Sequence, residues 1–120
     1  MQYKYVFLFI LTGMFALNIH AQHSDIQFFG KVIESGGQAV EFATVMAVDN
    51  SSDKVLTGVT SDFEGNFKLK SNSPDVYVKI TFIGFANKTI REFSIENGTV
   101  NLGTIIIEED SQVLDAIEVR

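Results

Sequence analysis

Thr57-Gly58-Val59-Thr60-Ser61-Asp62-Phe63-Glu64-Gly65-Asn66-Phe67-Lys68-Leu69 is the stretch whose reading decides the fold. Two runs with apolar Val59 and Phe67 flank a polar reversal, and β-branched Val and Thr crowd the first run. In the reversal, Asp62 can accept backbone N–H bonds, while Gly65 and Asn66 tolerate the positive φ that a tight turn demands. The stretch therefore reads as strand, tight turn, strand: a hairpin from which further short strands pair outward.

The same punctuation recurs on both sides. Upstream, Phe28–Ile33 reads as a strand, with Gly30 marking a bulge or a close backbone approach. Glu34–Gln38 is a turn, and Ala43–Val48 alternates so that Ala43, Val45 and Ala47 share one face. Asp49–Asp53 is a loop of turn formers. Downstream, Ser71–Asp75 holds the single proline. Val76–Ile83 then carries Val76, Val78, Ile80 and Phe82 on one side until Gly84 breaks it. Phe85–Phe93 reads as another strand with Lys88 and Arg91 exposed, Asn97-Gly98 is a reversal signal, and Val100–Ile107 closes the series. Six or seven short strands, turn signals about every 8–12 residues and no 3.6 period predict one all-β sandwich.

Composition agrees with sheet: 11 Phe, no Trp and abundant Val and Ile in 120 residues. A chain of this length buries roughly 60–70% of its unfolded surface, enough for one core. Net charge is −6 with scattered lysines, which opposes nucleic-acid binding, because phosphate neutralisation needs clustered cations. The absence of cysteine excludes disulfides, thiolate–metal sites and an acylated N-terminal cysteine.

Met1–Ala21 has a short cationic start, an apolar run from Val6 to Leu17, and a small residue before Gln22. That is the layout of a secretory signal peptide, and the run is short for a permanent membrane span. At the other end, 108–120 begins with an acidic break, Glu108-Glu109-Asp110, and continues as Val113-Leu114-Asp115-Ala116-Ile117-Glu118-Val119-Arg120. This extended, β-prone segment either frays, adds an edge strand to its own domain, or adds to a partner's sheet edge.

A search for chemistry returns little. Past the leader the sole histidine is His23, in a polar lead-in, which leaves no base for a nucleophilic triad. Asp62-Phe63-Glu64-Gly65 resembles a fragment of a calcium loop but lacks the later bidentate Glu, and turn stabilisation explains the same residues. Glu108-Glu109 has no surrounding pocket in which to act as an acid–base pair. Asn50-Ser51-Ser52, Asn87-Lys88-Thr89 and Asn97-Gly98-Thr99 fit the N-glycosylation triplet and matter only in a eukaryotic source. Phe82-Ile83-Gly84-Phe85 reads as a core strand end rather than an aromatic ligand patch. No cofactor, metal or catalytic residue is expected.

Taken as a set, Gly30 and Val32, Ala43-Thr44-Val45, Thr60–Phe67 and Thr81–Phe85 resemble the carboxypeptidase-regulatory-like domain. Its motif is Thr-Asp-x-x-Gly-x-Phe followed by a Ser-x-x-Gly-Tyr/Phe strand end. Asp62, Gly65, Phe67 and Gly84 occupy the matching positions, whereas Ser61 and Thr81 depart from it. The resemblance covers 27–107 and implies a transthyretin-like Greek-key sandwich over 22–107. The close, Leu102–Ile105 with Leu114–Val119, resembles the junction in TonB-dependent outer-membrane receptors of Bacteroidetes. There such a sandwich is a periplasmic, non-catalytic N-terminal extension preceding plug and barrel. Leu114, Asp115, Ala116, Ile117, Glu118 and Val119 would then be a TonB-box-like segment for a TonB-type energy transducer, a pattern that Ala116 and Ile117 blur. The alternative is a stand-alone secreted binding module, for carbohydrate or protein, using loops Asp49–Asp53 and Ser71–Asp75.

Overall fold

Residues 25–110 are described by the structure, a computed structural model. Seven strands run β1 Ile26–Glu34, β2 Thr44–Asp49, β3 Val55–Thr60, β4 Asn66–Ser71, β5 Val76–Thr81, β6 Lys88–Ile90 and β7 Thr99–Ile107. They form two sheets, one ordered β4-β1-β7 and the other β3-β2-β5-β6. β1 and β7 are parallel, and every other pairing is antiparallel. No helix occurs among the described residues. The all-β sandwich read from the turn spacing is the fold.

Alternation builds the core as predicted. Ala43, Val45 and Ala47 are fully buried, as are Val76, Val78 and Ile80 from β5; Phe82 is half-buried against them. β1 and β4 supply Phe28, Val32 and Leu69 from the opposite sheet, and β7 supplies Val100, Ile105 and Ile107. Each buried Val, Leu, Ile or Phe among them contributes about 1.5–3 kcal/mol through burial, and the alanines less. Phe93 adds an edge-on ring contact to Phe28, with centroids 5.2 Å apart.

The pairing of the central stretch differs from expectation. β3 and β4 do not pair with each other: β3 is an edge of one sheet and β4 an edge of the other. The turn between them is an arch that carries the chain across the sandwich, not a hairpin. The cause is packing. Val59 and Phe67 both face the core, but from opposite layers, so each arm hydrogen-bonds a different partner, β2 or β1. Gly65 alone takes the positive φ in this turn (φ 82); Asn66 does not. The expected strand over Phe85–Phe93 contracts to the three residues of β6.

Gly30 meets both of its predicted descriptions. The β1–β7 register shifts between Phe29 and Lys31, and the Phe67 ring lies across Gly30. A Cβ on Gly30 would come within 2.6 Å of that ring.

Candidate functional site

The strand directions gather three connections at one end: the β1–β2 loop, the β3–β4 arch and the β5–β6 loop. The end of β7 arrives at the same place. Asp62, Gly65, Phe67 and Gly84 all map to this end or to the strand leaving it, although they come from two separate connections.

Asp62 organises the arch. Its Oδ1 accepts the backbone N–H groups of Glu64 and Asn66, each at 2.9 Å, and its carbonyl accepts Gly65 N–H at 2.8 Å. An oxygen engaged this way stabilises a turn, and among the described residues no three His, Cys, Asp or Glu side chains converge as metal ligands. Gly65 sits against β1, where its carbonyl accepts Val32 N–H at 2.8 Å. A Cβ there would meet the Val32 carbonyl oxygen at 2.4 Å, so only glycine fits.

Ser61, where the family motif has Thr, is buried and anchors the arch to the β1–β2 loop. Its hydroxyl donates to the Val40 carbonyl at 2.6 Å and accepts Ala43 N–H at 2.9 Å. Either hydroxyl residue can do this, which gives the departure a physical reason. A hydroxyl one position before the motif aspartate is the only signal of this anchor in the sequence, because serine carries no titratable group.

Gly84 (φ 82) ends the β5 run, and its carbonyl accepts Asp110 N–H at 3.0 Å, while Ala86 N–H donates to the Glu108 carbonyl at 2.8 Å. Phe82 and Phe85 pack partly against the core, with rings 5.5 Å apart, as expected of a core strand end. Ile83 between them departs from that reading: it is 90% exposed. An open groove of about 620 Å³ runs over the outer face of the β4-β1-β7 sheet past Phe29, Gly30, Asp62 and Asn101. Lys68 lies 5.6 Å from the Phe29 ring centroid across it.

The opposite end brings together loops Asp49–Asp53 and Ser71–Asp75, but they are tied to themselves. Asn50 donates through Nδ2 to Asp75 Oδ1 at 2.9 Å, and Asp49 Oδ2 accepts from Ser51 Oγ, Ser52 Oγ and Ser52 N–H. Those bonds, the Ser51 hydroxyl foremost, hold the Asp49 carboxyl below its ordinary range. Tyr77 OH donates to Asp53 Oδ1 at 3.0 Å, and the Arg91 guanidinium stacks 4.0 Å over the Tyr77 ring. Burial, with the Asp53 bond second, pushes the Tyr77 phenol upward. Much of the polar surface of these two loops is thus turned to bonds within and between them. The leader, His23 and the Leu114–Val119 segment lie outside the described residues.

Residues 27–107 match the carboxypeptidase regulatory-like domain. The chain belongs to that family. Over 114 residues (95% of the chain), extending beyond this regulatory-like domain, the sequence is 29% identical to the TonB-dependent receptor SusC of Bacteroides thetaiotaomicron. The chain spans about a tenth of that receptor, 10% of its length. Among solved structures, a chlorocatechol 1,2-dioxygenase from Pseudomonas putida superposes with a TM-score of 0.55 at 13% identity. The overlap is 75% of this chain and 63% of that one. A 9R-lipoxygenase from Cyanothece superposes with a TM-score of 0.53 at 12% identity, over 82% of this chain and 20% of that one. Both likenesses are at the level of fold.

Proposed function

We propose that this domain is a non-catalytic, periplasmic N-terminal extension of a TonB-dependent outer-membrane receptor, where it makes protein contacts in nutrient uptake. The observation that carries the reading is the family match together with identity to a receptor over 95% of the chain. The site geometry supports it: Oδ1 of the motif carboxylate Asp62 is engaged in its own turn, and loops Asp49–Asp53 and Ser71–Asp75 are bonded within and between themselves. Fold likeness to dioxygenases does not transfer their chemistry.

In this reading 1–21 is a signal peptide, 22–107 the sandwich, and 108–120 the passage to a plug. Leu114–Val119 would offer main-chain N–H and C=O groups to a TonB-type energy transducer by strand addition. An immunoblot of fractionated native cells, with an antibody raised against 22–107, tests the receptor assignment. A band several-fold heavier than this chain in the outer membrane is expected; a band at the chain's own mass in a soluble fraction overturns it. For the tail, site-specific crosslinking from positions 114–119 should capture the transducer, and its failure to do so removes that step.

A further inference from the structure

Three large apolar side chains stand in solvent at the arch end: Phe42 at 67%, Phe63 at 72% and Ile83 at 90% exposure. Each comes from a different connection. Thr44 and Thr81 are the last paired residues of β2 and β5, and Phe42 and Ile83 lie two positions beyond them. Both line an open groove of about 470 Å³ that also touches Thr44, Thr81 and Phe82. Phe63 stands on the arch two residues past Ser61, whose carbonyl accepts Phe42 N–H at 3.0 Å. A single exposed apolar residue is ordinary; here Phe42 and Ile83 line one groove, and Phe63 stands on the arch whose Ser61 bonds the Phe42 backbone.

Phe42 adds a second peculiarity. Its φ of 67° puts a bulky aromatic residue in the left-handed region, a strained backbone conformation for any residue with a side chain of that size. The side chain offsets little of that strain in the free fold, because two thirds of it stands in water.

The rim is acidic. Glu41 and Glu64 adjoin Phe42 and Phe63, and Glu108 and Glu109 follow β7 beside the β5–β6 loop; all four are exposed. The cations at this end are Lys88, at the start of β6, and Lys31 on β1.

We propose that this end is a docking surface for a protein face, outside residues 1–120, that sets Lys or Arg around an apolar centre. Charge selects among occupants. A second copy of this end would oppose carboxylates to carboxylates, and the chain's own 113–119 segment brings Asp115 and Glu118. An anionic lipid surface is repelled for the same reason. The proposal rests on the reading of the chain as a non-catalytic contact domain and adds the face and the chemistry of its partner.

The test replaces Phe42, Phe63 or Ile83 with a photo-crosslinking phenylalanine in the natural protein in its own cells, with Ser51 and Asn72 at the opposite end as controls. Crosslinked peptides are sequenced by mass spectrometry. The expected result is adducts from the three end positions, and not from the controls, to a peptide outside residues 1–120 with Lys or Arg flanking apolar residues. The double substitution Glu41→Lys, Glu64→Lys, at exposed positions, should cut the yield several-fold while leaving the circular dichroism unchanged. No adduct, or an adduct to lipid, to a second copy, to 111–120 or to an acidic peptide, overturns the proposal. So does a yield indifferent to charge reversal. The immunoblot above separates the two failures: a soluble band with the expected adducts sinks the receptor reading alone, and a receptor band without adducts sinks this face alone.

Discussion

Gly65 shows how one residue can carry a motif for reasons of space. Its φ of 82° and the Val32 carbonyl oxygen 2.4 Å from where a Cβ would sit exclude any side chain. Gly65→Ala should therefore lose about 2–3 kcal/mol, seen as a lower denaturant midpoint with an unchanged slope. Ser61 is the complementary case, in which a side chain is required. Ser61→Ala strands the buried Ala43 N–H and should cost about 1–3 kcal/mol, whereas Ser61→Thr, keeping the hydroxyl, should cost less in the same titration. At the far end, Asp49 titrates with a sign that can be worked out. Hydrogen bonds from Ser51 and Ser52 depress its folded pKa below the ordinary 3.8. Its contribution to stability is thus fully present above that value and is lost as pH falls through the lower folded pKa. Asp49→Asn should make the decline of stability below about pH 4 shallower. Parallel slopes for the two proteins would contradict this.

At the scale of elements, the positions of strands were legible and their partners were not. The alternation of Ala43, Val45 and Ala47, and of Val76, Val78 and Ile80, states which side of each strand is buried. A period of two says nothing about which neighbour lies alongside, so the β3–β4 arch looked like a hairpin. Asp62 and Gly65 build a tight reversal in either case; the difference lies in Phe67, whose ring belongs over Gly30 of β1 rather than beside β3. The apolar end was hidden for a related reason. Phe42, Phe63 and Ile83 are scattered through the sequence and are indistinguishable from core residues until the connections are placed. The Gly30–Phe67 pair offers a test of the pairing. Phe67→Ala removes a buried ring and should cost about 3 kcal/mol. Gly30→Ala should also destabilise, through its clash with that ring at 2.6 Å. Gly30→Ala combined with Phe67→Leu should then lose less than the sum of the single changes, because the smaller side chain relieves the clash. Additive losses in the double-mutant cycle would place Phe67 elsewhere.

At the scale of the whole fold, the described residues present four sheet edges, and an edge is a template for unwanted pairing unless something blunts it. β4 carries Lys68 and Lys70, both exposed. β6 is three residues long and begins with Lys88. β7 is broken by Gly103, whose φ of 67° interrupts the regular extended edge. β3, Val55-Leu56-Thr57-Gly58-Val59-Thr60, has no charge, and Val55 and Leu56 are 53% and 41% exposed. It is the edge with the fewest defences, and a six-residue uncharged strand of that composition is long enough to nucleate edge-to-edge pairing. Leu56→Lys should therefore slow aggregation during prolonged incubation at mildly destabilising temperature, at little cost in stability because the side chain is already exposed. Lys68→Thr with Lys70→Thr should do the opposite by stripping the charge from β4. Light scattering followed over hours, on samples matched for fraction folded, measures both. If Leu56→Lys aggregates as fast as the natural sequence while the β4 variant accelerates, the vulnerable edge is β4, held in check by its lysines, and β3 is already covered.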